Sequence, residues 1–165
     1  MAYCLAEAID SVGTSPVNIC NWEKICLKEP KEKIDFNELA TRLIETLKTL
    51  FDTEPIDIVL IENQPCIKAP TMKSLQMIIY SFFMIKNINV KMVSATNKLK
   101  VVLNKEHEKE KLTYGEKKKA AVRLTKAYIG TDGKWSTHFA DEKYSPDLSD
   151  AYLQMVWFVE KGQVA

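Results

Sequence analysis

The sequence predicts an α/β layer fold, a mixed sheet flanked by helices. Three observations carry that reading. Ile56-Asp57-Ile58-Val59-Leu60-Ile61 is a short apolar run closed by Glu62-Asn63-Gln64-Pro65. It suits a strand buried on both faces and stopped by a proline that cannot join a ladder. Near the start, Ala2-Tyr3-Cys4-Leu5-Ala6 and the stretch from Val17 to Leu27 bracket the turn formers of Asp10 to Pro16. That is the pattern of an antiparallel hairpin. Four further segments carry helical signals, and they alternate with or follow the strands.

Taken in order, Asp35 is a candidate N-cap with Glu38 three residues on, as in a capping box. The helix it opens runs to about Phe51, with Leu39, Leu43, Leu47 and Leu50 along one face. The strand ending in Glu62 follows. Thr71 to Lys86 reads as a second helix opened after Pro70, with Leu75, Ile78, Ile79, Phe82 and Phe83 as core positions. Val90 to Ser94 is a short strand. Ala95 to Leu112 is polar and basic, compatible with a loop or a helix extension. Tyr114 to Ile129 is a strongly basic helix, closed by Gly130 at a C′ position. Thr131 to Tyr144 reads as a loop holding Trp135 and His138. Ser145 caps a last helix, with Pro146 at its first position, running to about Lys161.

A chain of 165 residues suits a single domain spanning 1–165, and 46% hydrophobic with 27% charged residues places it among ordinary globular proteins. Its net charge of +1 conceals an asymmetry. From Lys98 to Lys134 stand ten Lys and one Arg against four Glu and one Asp, while the rest of the chain carries an excess of acids. Such a basic segment favours a polyanionic partner. Cys4, Cys20, Cys26 and Cys66 have no CxxC spacing and read as free thiols of an intracellular, reducing compartment. The apolar stretch from Met77 to Ile85 is too short to cross a bilayer, so no membrane partner is expected.

The chemistry-bearing residues are oxygen donors and lysines. Glu62 falls at the C-terminal end of a strand, where open α/β sheets place ligand sites. Asp147 and Asp150 are three apart in the first turn of the last helix and share a face. Acids there also complement the helix dipole, which is the simpler account of them. Asp150, however, leads into Ala151, Tyr152, Leu153, Met155, Val156, Trp157 and Phe158, an apolar run that is a poor place for mere solvation. Three converging carboxylates would repel one another unless a cation neutralised them, and an all-oxygen set suits Mg²⁺ or Mn²⁺. Lys117, Lys118, Lys119, Arg123 and Lys126 lie on one helix, with Lys98 and Lys100 upstream. Alone they could be a solvated face; beside an acidic site they suit phosphodiester. His107 and His138 lack metal spacing, and a serine-nucleophile elbow, a P-loop and a dinucleotide fingerprint are all absent.

Four segments occur in order: Ile61-Glu62-Asn63-Gln64-Pro65, Val93-Ser94-Ala95-Thr96-Asn97-Lys98-Leu99-Lys100, Tyr114-Gly115-Glu116-Lys117-Lys118-Lys119 and Asp147-Leu148-Ser149-Asp150-Ala151. Together they resemble the poxvirus-type Holliday junction resolvases, a RuvC-like branch of the ribonuclease-H-like fold. The resemblance implies an Mg²⁺-dependent endonuclease, a homodimer that nicks four-way DNA junctions with two divalent ions. It makes Glu62, Asp147 and Asp150 metal ligands and catalytic acids. It assigns Lys98, Lys100, Lys117, Lys118, Lys119 and Arg123 to the DNA backbone. It also implies a viral setting, at a replication site or in the cytoplasm. The family's first acid stands in a pattern Asp-x-Gly-x-x-Asn that would end just before Met1, and Asp10 and Gly13 do not replace it. The expectation is therefore an N-terminally truncated ribonuclease-H-like sheet supplying three acids of four. A catalytically silent junction-binding protein and a plain α/β interaction module are the competing readings.

Overall fold

Ala2–Ala8 (β1) and Val17–Lys24 (β2) pair antiparallel, as the two flanking runs predict. The register runs from Ala2 opposite Lys24 to Leu5 opposite Asn21, then jumps to Ala6 opposite Ile19. Cys20 is the extra residue, a β-bulge. Because strand side chains alternate, one inserted residue restores Trp22 and Lys24 to the face that carries Val17 and Ile19. The predicted second strand extended to Leu27. It stops at Lys24 because the ladder closes where Met1 and Ile25 exchange backbone hydrogen bonds of 2.6 and 2.9 Å.

The computed structural model describes residues 1–9, 15–98, 100, 113–130, 133–141 and 145–162. The hairpin turn around Asp10 and Gly13, Leu99 and the stretch containing His107 lie outside them. The chain divides into two compact units, Met1–Ile25 with Thr96–Ala165, and Cys26–Ala95.

In the first unit helices join the hairpin. Phe36–Phe51 (α1) and Pro70–Ile85 (α2) belong to the second unit, so here the helices are Tyr114–Ile129 (α3), Lys134–Asp141 (α4) and Ser145–Glu160 (α5). A capping box starts α3: Thr113 Oγ1 accepts from the Glu116 backbone N–H, and the Glu116 carboxylate accepts from the Thr113 N–H at 2.7 Å. The Thr113 hydroxyl and backbone N–H, both donating to it, hold the Glu116 carboxyl below its usual range. Gly130 ends α3 at φ 73°, a left-handed conformation that favours glycine. The α5 helix packs on both strands and on α3. Val17, Trp22, Ala121, Phe139, Leu148, Tyr152, Leu153 and Val156 form the core.

The α4 helix corrects the sequence expectation of a loop from Thr131 to Tyr144. Trp135, His138 and Phe139 fall at i, i+3 and i+4 and turn one aromatic face onto Trp22. The Phe139 ring stacks on Trp22 at 5.1 Å and 8°, with the Trp135 and His138 rings at 6.4 and 6.2 Å from it. Packing of that face sustains a helix of 8 residues that local propensity would not.

In the second unit, Ile58–Glu62 (β3) and Asn89–Val93 (β4) pair in parallel, Glu62 opposite Val93. Among the described residues, the antiparallel and parallel pairings of a mixed α/β fold are both present, as two two-stranded sheets. Asp35 caps α1, accepting from the Glu38 N–H at 2.8 Å. The Glu38 carboxylate, expected to close a capping box, instead takes the Arg42 guanidinium at 2.6 Å, one turn on. Arg42 also forks onto Glu32 at 2.7 and 3.0 Å and holds that carboxyl below its ordinary range. Leu43, Leu47 and Phe51 of α1 are buried, as are Leu75 and Phe83 of α2, and the Phe51 and Phe83 rings lie 5.7 Å apart.

Candidate functional site

Glu62 ends β3, partly buried, with Gln64 Nε2 donating to its Oε1 at 3.5 Å. The residues after it are fixed by α2. Asn63 donates its backbone N–H to Val93 at 2.8 Å, and its side-chain carbonyl accepts from Lys73 Nζ at 2.8 Å. The Gln64 N–H reaches Gln76 Oε1 at 2.9 Å, and Lys73 Nζ donates to the same oxygen at 3.2 Å. Gln76 is a buried polar residue of α2. A buried amide is stable only when its polar atoms are partnered, so Gln76 serves as an anchor for the backbone beyond Glu62. The sequence analysis missed Lys73 and Gln76. Their signal is two polar residues at i and i+3 within a run of core positions.

In the first unit, Asp147 stands in the first turn of α5, as predicted, and Asp150 follows three residues on, in the next turn. Trp22 holds that turn: its indole Nε1 donates to the Leu148 carbonyl at 3.0 Å, from a fully buried position. One turn on, the Tyr152 hydroxyl bonds Ser15 Oγ at 2.8 Å, and burial pushes the phenol up to about 12. Each acid faces a lysine. Lys24 Nζ lies 3.6 Å from Asp147, and Lys98 Nζ lies 2.5 Å from Asp150. The bulge at Cys20 sets Lys24 on the face toward α5, on the same side of β2 as Trp22. Lys98, expected among phosphate contacts, is engaged with Asp150.

The basic helix sorts into faces. Lys118, Lys119, Arg123 and Lys126 of α3 line an open groove with Val122, and Pro146 of α5 completes it. Lys117 is exposed but does not line the groove, whereas Lys126 does. Lys100 is exposed, its ammonium 6.0 Å above the Trp157 ring. His138 packs edge-on against Trp135 at 5.7 Å within the aromatic cluster.

The structure therefore gathers Asp147, Asp150 and the cationic groove in one unit, while Glu62 belongs to the other. Among the described residues, no three His, Cys, Asp or Glu side chains are assembled as a metal centre. The donor chemistry of the α5 pair nonetheless fits a hard divalent cation: two carboxylates on one helix turn, each already drawing a positive charge. Among the described residues no helix is long and apolar enough to cross a membrane.

No family model matches the chain. An uncharacterized protein of Acanthamoeba polyphaga mimivirus is 29% identical over 152 residues, covering 82% of this chain and 36% of the viral protein. The chain thus spans about a third of that relative's length. Among solved structures, the yeast mitochondrial Holliday junction resolvase Ydc2 superposes with a TM-score of 0.64 at 17% identity, over 98% of this chain and 77% of that one. The chain has the α/β, ribonuclease-H-like fold of that resolvase.

Proposed function

We propose that the chain is a metal-dependent endonuclease that recognises and cuts four-way DNA junctions. The observation that carries this reading is a juxtaposition within the first unit. The acid pair Asp147 and Asp150 begins one residue after Pro146, which itself lines the groove of Lys118, Lys119, Arg123 and Lys126. Lysines and arginine bind phosphate irrespective of base sequence, so a groove of this kind takes a DNA backbone and leaves it beside the acids. The likeness of fold to a junction resolvase supports the same reading.

In this proposal Glu62, Asp147 and Asp150 are each ligands of divalent cations, Mg²⁺ or Mn²⁺. Such ions, two in number, would supply the Lewis acidity that in-line attack of water on a phosphodiester needs. The protein's own part is positional. The Trp22 indole pins the α5 turn, Lys73 and Gln76 fix the chain beyond Glu62, and the α3 cations hold the strand to be cut. Lys100 adds charge beside Trp157. Two copies of the chain about a two-fold axis would match the symmetry of a four-way junction, placing paired nicks. A labelled junction and a linear duplex of the same sequences test the proposal. Mg²⁺-dependent cutting of the junction alone is expected, and equal cutting or binding of both would refute structure selectivity.

One observation favours a second reading. Both α5 acids are charge-paired by lysines, which suits a protein that binds junctions without cutting them. Tight junction binding that no divalent ion converts to cleavage would establish it.

A further inference from the structure

The two lysine contacts on the α5 acids are unlike. Lys24 and Asp147 are 3.6 Å apart, with side chains 24% and 49% exposed. Lys98 and Asp150 are 2.5 Å apart, with side chains only 13% and 31% exposed. Exposed pairs are weakened by water and salt, whereas a pair drawn in from solvent is screened less. Lys98 is therefore a committed partner of Asp150, while Lys24 is a loose partner of Asp147. An ammonium at this distance occupies one oxygen of the carboxylate and competes with a divalent ion for its charge. Two cations held that close would also repel.

Resting on the metal-dependent reading above, the geometry points to Lys98 as a built-in counter-ion of Asp150 that a divalent cation must displace. In the absence of the cation, Lys98 neutralises the acid and holds the start of α5 in charge balance. When the cation takes Asp150, the ammonium is released beside the acid pair, where its charge is available to a phosphodiester. Binding of the cation and of DNA phosphate at this turn then favour each other. Lys98 acts through Asp150 and is a positioning residue.

Calorimetric titration of Mn²⁺ into the full chain, K98M and K134M tests this. K134M removes the same charge from an exposed residue that lies over Trp135 and so controls for net charge. K98M is expected to bind Mn²⁺ about tenfold more tightly than the parent, within the usual range of site-to-site coupling, with K134M close to the parent. Binding by K98M alone would be the extreme form of the same result. Equal or weaker binding by K98M than by a parent that does bind would overturn the counter-ion role and leave the metal reading intact. No binding by any of the three chains would remove the metal reading and this inference with it. Should K98M fail to fold by circular dichroism, the parent alone suffices. Acetylation by acetic anhydride, read by mass spectrometry, should be slow at Lys98 and speed up on saturation with Mn²⁺. An unchanged rate at a Mn²⁺ concentration that calorimetry shows to saturate would overturn the inference.

Discussion

Replacing Trp22 tests how the α5 turn is held. The side chain is fully buried, stacks on Phe139, meets the Trp135, His138 and Tyr152 rings, and donates to the Leu148 carbonyl at 3.0 Å. Trp22→Phe keeps a ring in the stack but deletes the indole N–H. The lost hydrogen bond costs about 0.5–1.5 kcal/mol. The gap left by the missing fused ring adds about 1–2 kcal/mol, since a packed core collapses only partly around it. The expected destabilisation is therefore about 1.5–3.5 kcal/mol for W22F and about 3–5 kcal/mol for W22A, a large share of a typical stability of about 5–15 kcal/mol. Urea unfolding followed by far-ultraviolet circular dichroism reads it without relying on tryptophan emission. A W22F midpoint shift worth less than about 0.5 kcal/mol, the scale of an ordinary surface change, would refute the view that this indole fastens α5.

Three other perturbations follow from the geometry. Alanine at Lys118, Lys119, Arg123 or Lys126 should weaken junction binding across all sequences and lower the slope of log affinity against log salt by about 1 each, while K117A should do less; anisotropy titrations at several salt concentrations decide. Burial pushes the Cys4 thiol up to about 12 from 9.0. A raised folded value means that the stabilisation is complete below about 9 and is lost as pH climbs toward about 12. Urea midpoints should therefore fall over that alkaline window, and C4A should flatten the fall; an unchanged slope would contradict it. Removing the α1 cap with D35A should cost about 1 kcal/mol in the same unfolding assay, and a neutral result would show that α1 does not depend on the Asp35 bond to Glu38.

What the sequence made legible was whatever local rules govern. The apolar run to Glu62, the hairpin, the α1 stripe, the Gly130 stop and the place of Asp147 in an opening turn all follow from periodicity, capping and φ preference. What it hid depends on contacts distant in the chain. The bulge at Cys20 has no composition signal, yet it decides that Trp22 and Lys24 face α5. The α4 helix exists because Trp22, more than 100 residues earlier, gives its aromatic face something to pack on. Gln76 has no evident role in the sequence until its bond to the Gln64 backbone is seen. Charge runs show a similar limit. Lys98 and Lys119 look alike in sequence, but one is withdrawn onto Asp150 and the other lines an open groove.

The central proposal is that Glu62 and the α5 acids each take part in metal-dependent cutting of branched DNA. The most direct test incubates an end-labelled four-way junction with the chain and with Glu62→Gln, each with and without Mg²⁺, and maps the products on a sequencing gel. The account predicts paired nicks at symmetric positions with Mg²⁺, none without it, and none from E62Q, which should still bind the junction at least as tightly because it removes negative charge facing phosphate. Cleavage by E62Q equal to that of the parent would contradict the account.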